Sequence, residues 1–178
     1  MRFKLTILIL LIIFATLFSG CNLFVCKQVP LSDTQAEEAL NIALTQVGKP
    51  YEWGGRGPHT FDPSGLIVWS YKQVYPDLQF KYKPWLYEDV SMDVLWRYNV
   101  LPVLWENIMP GDLVFISSDG KVVTTGGLFV GWADEDMDTF EFVGSSSFYG
   151  EVCILSWPVE GTKREQWVIG AGRLMTSY

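Results

Sequence analysis

FDPSGL, residues 61–66, is the stretch on which the reading of this chain turns. It stands between the glycine-rich YEWGG (51–55) and the helical-looking LIVWSYKQVY (66–75). That makes it a strand-loop-helix junction, a place where many enzymes carry a nucleophile. Pro63 has no nucleophilic atom, but it suits the scaffold. Proline is favoured at the first helical position, where its missing N–H is not needed and its φ is already helical. Asp62 before it is a good N-cap, able to accept a bond from a free N–H of the first turn. The pattern predicts a helix from Asp62 or Pro63 to about Tyr75, ended by Pro76.

Upstream, KPYEWGGRGPHTF (49–61) reads as a loop from its prolines and glycines. SDTQAEEALNIALTQVGK (32–49) reads as a helix. Ser32 and Gln35 are spaced as a capping box. Ala36, Leu40, Ala43, Leu44 and Val47 form an apolar stripe, and Gly48 supplies a stop. Downstream, residues 76–110 are aromatic and irregular. LYEDVSMDVLWRY (86–98) there predicts a short helix burying Leu86, Val90, Val94 and Tyr98. Trp85, Trp96 and Trp105 in this region either fill the core, the commoner use, or floor a groove.

From PGDLVFIS (110–117) onward the texture changes to strands. Residues 113–116, 128–132, 140–143, 152–157 and 167–174 are short β-prone runs parted by Gly, Asp and Ser. Helices first and an antiparallel sheet of about five strands afterwards means an α+β fold. The alternation in GEVCILSW (150–157) makes Cys153 a buried thiol.

With 178 residues, 49% of them hydrophobic and eight of them Trp, the chain has enough for one well-filled domain. Its first twenty residues stand apart. Arg2 and Lys4 precede an apolar run from Leu5 to Phe18, too short for a comfortable membrane span, and LFSGC follows. Ser19 and Gly20 before Cys21 resemble a bacterial lipoprotein signal, with Phe18 less usual at the first position of that box. A plain secretory signal or an anchor helix are the other readings. The expected organisation is thus a signal peptide (1–20), a lipid-bearing Cys21 with a tether (21–31), and one domain (32–178).

Removal of the signal leaves 11 basic and 20 acidic residues, a net charge of −9. That charge disfavours nucleic acid and gives no help in holding an anionic membrane, so attachment would rest on lipid at Cys21. Cys26 and Cys153 are free to pair in an oxidising envelope, but no dense cysteine framework demands it. One His and no Cys-x-x-Cys argue against a zinc site, and no cofactor is expected.

Taken in order, GKPYEWGG (48–55), FDPSGLIVWSY (61–71), MPGDLVFIS (109–117), GGLFVGW (126–132) and FEFVGSSS (140–147) resemble the NlpC family of bacterial cell-wall endopeptidases. The likeness covers roughly residues 35–174. It implies a papain-like cysteine peptidase fold and cleavage of peptidoglycan stem peptides, typically after a D-γ-glutamyl residue. It also implies a Cys between the Asp and the Ser-Gly of 62–65, a His at the start of the GGLFVGW strand, and a polar residue on the next strand. Here those positions hold Pro63, Thr125 and Gly144, the last within about one residue. A thiolate nucleophile needs its sulfur and a base within reach. Threonine takes up no proton near neutral pH, as His does, and glycine orients nothing.

The resemblance therefore predicts a chain with no catalytic residues and no enzymatic activity. Of the residues implied to contact the ligand, Asp62 and Ser64, which would receive the free amino end of a stem peptide, and Tyr51, which matches a family Tyr near the same cleft, are present. For Asp62 and Ser64 capping is the rival role, and for Tyr51 packing. The expected function is binding of a peptidoglycan stem peptide, or of an envelope protein, through the remnant cleft of a lipid-anchored protein. Asn22 after Cys21 points to the outer membrane of a Gram-negative host. Two rivals stand beside it: an active γ-D-glutamyl-diamino-acid endopeptidase-like hydrolase using other residues, such as Ser64, and a scaffold without a small ligand. His59, the one imidazole, is expected in solvent in its Gly/Pro-rich loop.

Overall fold

A computed structural model describes residues 26–178. The signal and Cys21 lie outside the described residues. Helix α1 (Asp33–Leu44) opens on the expected capping box. The Gln35 N–H donates to Ser32 Oγ at 3.3 Å, and the Ser32 N–H donates back to Gln35 Oε1 at 2.9 Å. Ala36, Ala39, Leu40 and Ala43 face inward, while Val47, beyond the helix end, is exposed. Small residues on this face let the chain at Gly111 lie directly on α1: a Cβ there would stand 2.2 Å from the Ala36 carbonyl.

Helix α2 (Pro63–Val74) starts and stops where the sequence indicates, with Asp62 as its N-cap. Leu66, Ile67, Val68 and Tyr71 are all buried. Each such side chain contributes about 1.5–3 kcal/mol on leaving water. Tyr71 donates its hydroxyl to the Gly111 carbonyl at 2.7 Å. Complete burial, with the nearby Asp112 charge, pushes its phenol far above the ordinary range.

All strand pairings in the main sheet are antiparallel. Its strands are β1 (Gln28–Pro30), β4 (Val100–Val103), β5 (Leu113–Ser117), β6 (Thr125–Trp132), β7 (Thr139–Ser146), β8 (Glu151–Pro158) and β9 (Trp167–Ser177). The order runs β1-β9-β5-β6-β7-β8, with β4 also on β9. The five expected strands are all present, so the α+β reading stands. The two extra ones follow from the length of β9: residues 171–174 pair with β4 on the edge opposite β5, and residues 175–177 run past the end of β5 to pair with β1. β1 falls in the stretch read from sequence as tether, so the domain begins before residue 32. Leu31, next to it, is buried.

The run LVFIS has no polar alternation because β5 is covered on both sides. Leu113 and Phe115 meet the helices, while Val114 and Ile116 join Phe129, Phe140, Phe142 and Trp157 in a second cluster on the other face. Period-two packing on two apolar faces yields one continuous apolar run.

The region 76–110 departs most from expectation. Residues 86–90 are not helical; Phe80–Tyr82 (β2) and Trp85–Tyr87 (β3) form a hairpin, and helix α3 spans only Met92–Tyr98. Leu86 is exposed accordingly, and Val94 only half-buried, whereas Val90 is buried. The three tryptophans separate. Trp85 is exposed, Trp96 packs 5.1 Å from the Phe115 ring, and Trp105 stacks on Phe140 at 5.1 Å. Cys153 is half-buried rather than buried, because Val152 beside it takes the core face of β8. Cys26 and Cys153 are both free thiols.

Candidate functional site

The site is assembled at the start of α2. The Asp62 carboxylate accepts the Gly65 N–H at 2.6 Å and the Ser64 hydroxyl at 2.8 Å, both through Oδ1. Gly65 is obligatory for contact rather than for φ. A Cβ there would lie 1.9 Å from the Gly55 carbonyl, so only glycine lets the 49–61 loop rest against the helix. Gly55 in turn accepts the Asp62 N–H at 2.9 Å. These contacts place the next residue, Arg56, over the helix start.

Arg56 bridges two carboxylates. Its Nη1 donates to Asp62 Oδ1 at 2.9 Å, to Asp62 Oδ2 at 3.0 Å and to Ser64 Oγ at 2.9 Å. Its Nε stands 2.7 Å from Asp89 Oδ2. Burial raises the Asp89 pKa first of all, the Arg56 charge opposes that rise, and the Asp62 charge adds to it. The floor is braced from the sheet side. Ser145 Oγ donates to the Phe61 carbonyl at 2.7 Å, and the Tyr51 N–H donates to the Gly150 carbonyl at 2.8 Å.

A cleft of about 620 Å³ opens beside this junction. Tyr51, Asp62 and Ser64 all line it, as do Pro63 and Thr125. Thus four chain segments read separately along the sequence meet on one surface: the loop, the start of α2, the start of β6 and the end of β7. Gly144 does not line the cleft; Ser145 and Ser146, next to it, do. A Cβ on Gly144 would stand 2.7 Å from the Gly126 carbonyl, so this position has no room for a side chain. His59 is exposed and, like Cys153, lies off the cleft.

Arg56 and Asp89 escaped sequence reasoning. Arg56 sits in a loop whose glycines draw the attention, and Asp89 lies in the stretch misread as helix. No local signal marked either residue, because the Gly55–Gly65 contact that carries Arg56 to the helix end is made only in the folded chain.

The profile of the NlpC/P60 family matches residues 48–137, half of the chain. The chain belongs to the NlpC/P60 family. It is similar to the murein DD-endopeptidase MepH of Escherichia coli, 31% identical over 140 residues. That match covers 78% of this chain and 45% of MepH. It is also similar to a probable endopeptidase of Mycobacterium tuberculosis, 34% identical over 92 residues, covering 52% of this chain and 20% of the relative. The chain therefore spans less than half the length of these curated relatives. Among solved structures, NlpC2 of Trichomonas vaginalis superposes with a TM-score of 0.59 at 26% identity. It covers 80% of this chain and 48% of its own.

These findings correct one expectation. The absence of enzymatic activity read from Pro63, Thr125 and Gly144 does not stand, because the chain belongs to a hydrolytic family and its relatives are named endopeptidases. The physical reason is one of scope. Three positions carried over by resemblance speak about one set of reacting atoms, and Gly144 proves to lie outside the cleft. They do not speak for every hydroxyl and carboxylate that the cleft brings together.

Proposed function

We propose that the cleft binds a stem peptide of peptidoglycan, in a protein held to a cell envelope by lipid on Cys21. The observation that supports this is the convergence of Tyr51, Asp62 and Ser64 on one cleft of about 620 Å³, in a chain of the NlpC/P60 family. Tyr51 offers a ring and a hydroxyl, while Asp62 and Ser64 fix the polarity of one end. Among the described residues no helix is long and apolar enough to cross a membrane.

The full chain should co-sediment with purified sacculi and should lose that binding when Tyr51 and Ser64 are both changed to Ala. A soluble fraction unchanged by sacculi would sink the reading. For the anchor, Cys21→Ala should abolish labelling by a fatty-acid probe and move the protein out of a detergent phase.

A second reading, hydrolysis of the same peptide, is favoured by the names of the relatives. Ser64 Oγ donates to the Asp62 carboxylate at 2.8 Å, and this is the pair a serine route would use. Mass spectrometry of the sacculus supernatant decides it. New muropeptides that vanish in Ser64→Ala would establish the serine route, and their persistence would assign the chemistry elsewhere.

A further inference from the structure

We infer that Arg56 is a specificity residue: it fills the place of a ligand's ammonium, so the cleft takes peptides whose amino end is acylated. The inference rests on the stem-peptide reading above.

Asp62 lines the cleft at the start of α2 and would be a natural partner for a positively charged amino end. That carboxylate is already committed. Two carboxylate oxygens offer about four acceptor sites. Here Oδ1 receives the Gly65 N–H, the Ser64 hydroxyl and Arg56 Nη1, and Oδ2 receives Arg56 Nη1 as well. Ser64 Oγ is engaged by the same Nη1. A resident guanidinium therefore holds both groups that an incoming ammonium would need.

The resident cation is not easily displaced. Its Nε is anchored on Asp89 at 2.7 Å, and its backbone forms a bridge with Phe61. The Gly55–Gly65 contact fixes the residue before it. A guanidinium cannot give up its proton in a protein, so the cation is permanent. An ammonium brought to this corner meets a like charge, which disfavours it. A carbonyl oxygen meets a donor.

Arg56 lines the cleft and keeps 41% of its side chain exposed, and among the described residues its bonds run from Nη1 and Nε, which leaves Nη2 for such an oxygen. The same cleft carries two exposed rings, Trp53 at 89% and Phe148 at 70%. They suit a ligand that continues past its amino end. In a cell wall, that is a stem peptide still joined through its amino end to a larger acyl group, rather than a released peptide.

Two synthetic stem peptides, identical except that one is N-acetylated, test this by calorimetry against the full chain. Exposed charges are partly screened, so the acetylated peptide should bind about tenfold more tightly. The preference should disappear or reverse in Arg56→Gln and survive in Arg56→Lys, with circular dichroism of each variant confirming the fold. Equal or tighter binding of the free amine by the unaltered chain would overturn the inference and leave the stem-peptide reading intact. Binding of neither peptide would overturn that reading, and this inference with it.

Discussion

Arg56 at the cleft and Arg173 on β9 perform the same electrostatic act in opposite settings. Each guanidinium ties two aspartates from distant parts of the chain. Arg173 joins Asp112, before β5, to Asp33, in the first turn of α1. Its side chain is 11% exposed, and Asp112 is fully buried. Arg56 joins Asp62 to Asp89 with 41% of its side chain exposed and Asp89 at 40%. The Arg173–Asp112 arm has no water to replace either partner, so each depends on the other, whereas the Asp33 end is 65% exposed and screened. At the Arg56 bridge the Asp89 arm is screened and adds little to stability, and Asp62, 13% exposed, keeps the Gly65 N–H and the Ser64 hydroxyl as partners without it. What Arg56 keeps instead is a charge that a ligand can feel. Burial, and not the ion pair itself, separates a structural arginine from one that can read a substrate.

The comparison breaks most visibly on the Arg173 side. Arg173→Ala leaves the Asp112 carboxylate buried with the Met109 N–H as its remaining partner, and should cost about 3–5 kcal/mol in chemical denaturation. A loss below 1 kcal/mol would place the two arginines in one class.

Next in size is Gly65→Ala, which probes the contact that carries Arg56 to the helix. Its Cβ would overlap the Gly55 carbonyl, so the loop must shift at a cost of about 1–3 kcal/mol. Any preference for an acylated peptide should weaken in the same variant, because the guanidinium moves with the loop.

Arg56→Gln should change stability by less than about 1 kcal/mol while altering ligand preference, the reverse of Arg173→Ala. A large loss of stability here would make Arg56 a structural residue like its counterpart.

The smallest effect is in pH. Asp89 has its pKa raised in the folded protein above 3.8, chiefly by burial, so the folded state holds the proton more tightly than the unfolded chain. Its contribution to stability is therefore full below that ordinary value and is lost as pH rises through the folded pKa. Asp89→Asn should flatten that part of a stability profile followed by urea denaturation. Asp119 provides the control of opposite sign. Hydrogen bonds from the Val122 and Lys121 N–H groups and from Ser117 hold it at about 2. Its share is present above the ordinary value and lost as pH falls towards about 2, which NMR titration of both carboxylates would resolve.

Much of this site was legible along the chain because it is local. Asp62, Pro63 and Ser64 are neighbours, and a cap followed by proline at the first helical position needs no distant partner. The motif order from 48 to 147 likewise led to the family and to an α+β fold. The hairpin at 80–87 was illegible for the opposite reason: its strands are only three residues each and exist through their pairing, and the helical spacing read from Leu86 onward ran into the second of them. Gly144 shows a further limit, since resemblance placed a functional position there and the sheet gives it no room for a side chain.

Short-range signals along the chain were enough for the start of α2, the capping of α1 and the five principal strands, because caps, turn residues and two-residue periodicity act over a few bonds. The tertiary structure decided that residues 28–30 join the sheet, that Trp85 is exposed while Trp105 stacks, and that Arg56 reaches Asp62 and Asp89. Those outcomes depend on which backbones approach within contact distance. The Gly55–Gly65 approach, ten residues apart in sequence, is what turns a loop arginine into the charged wall of a cleft.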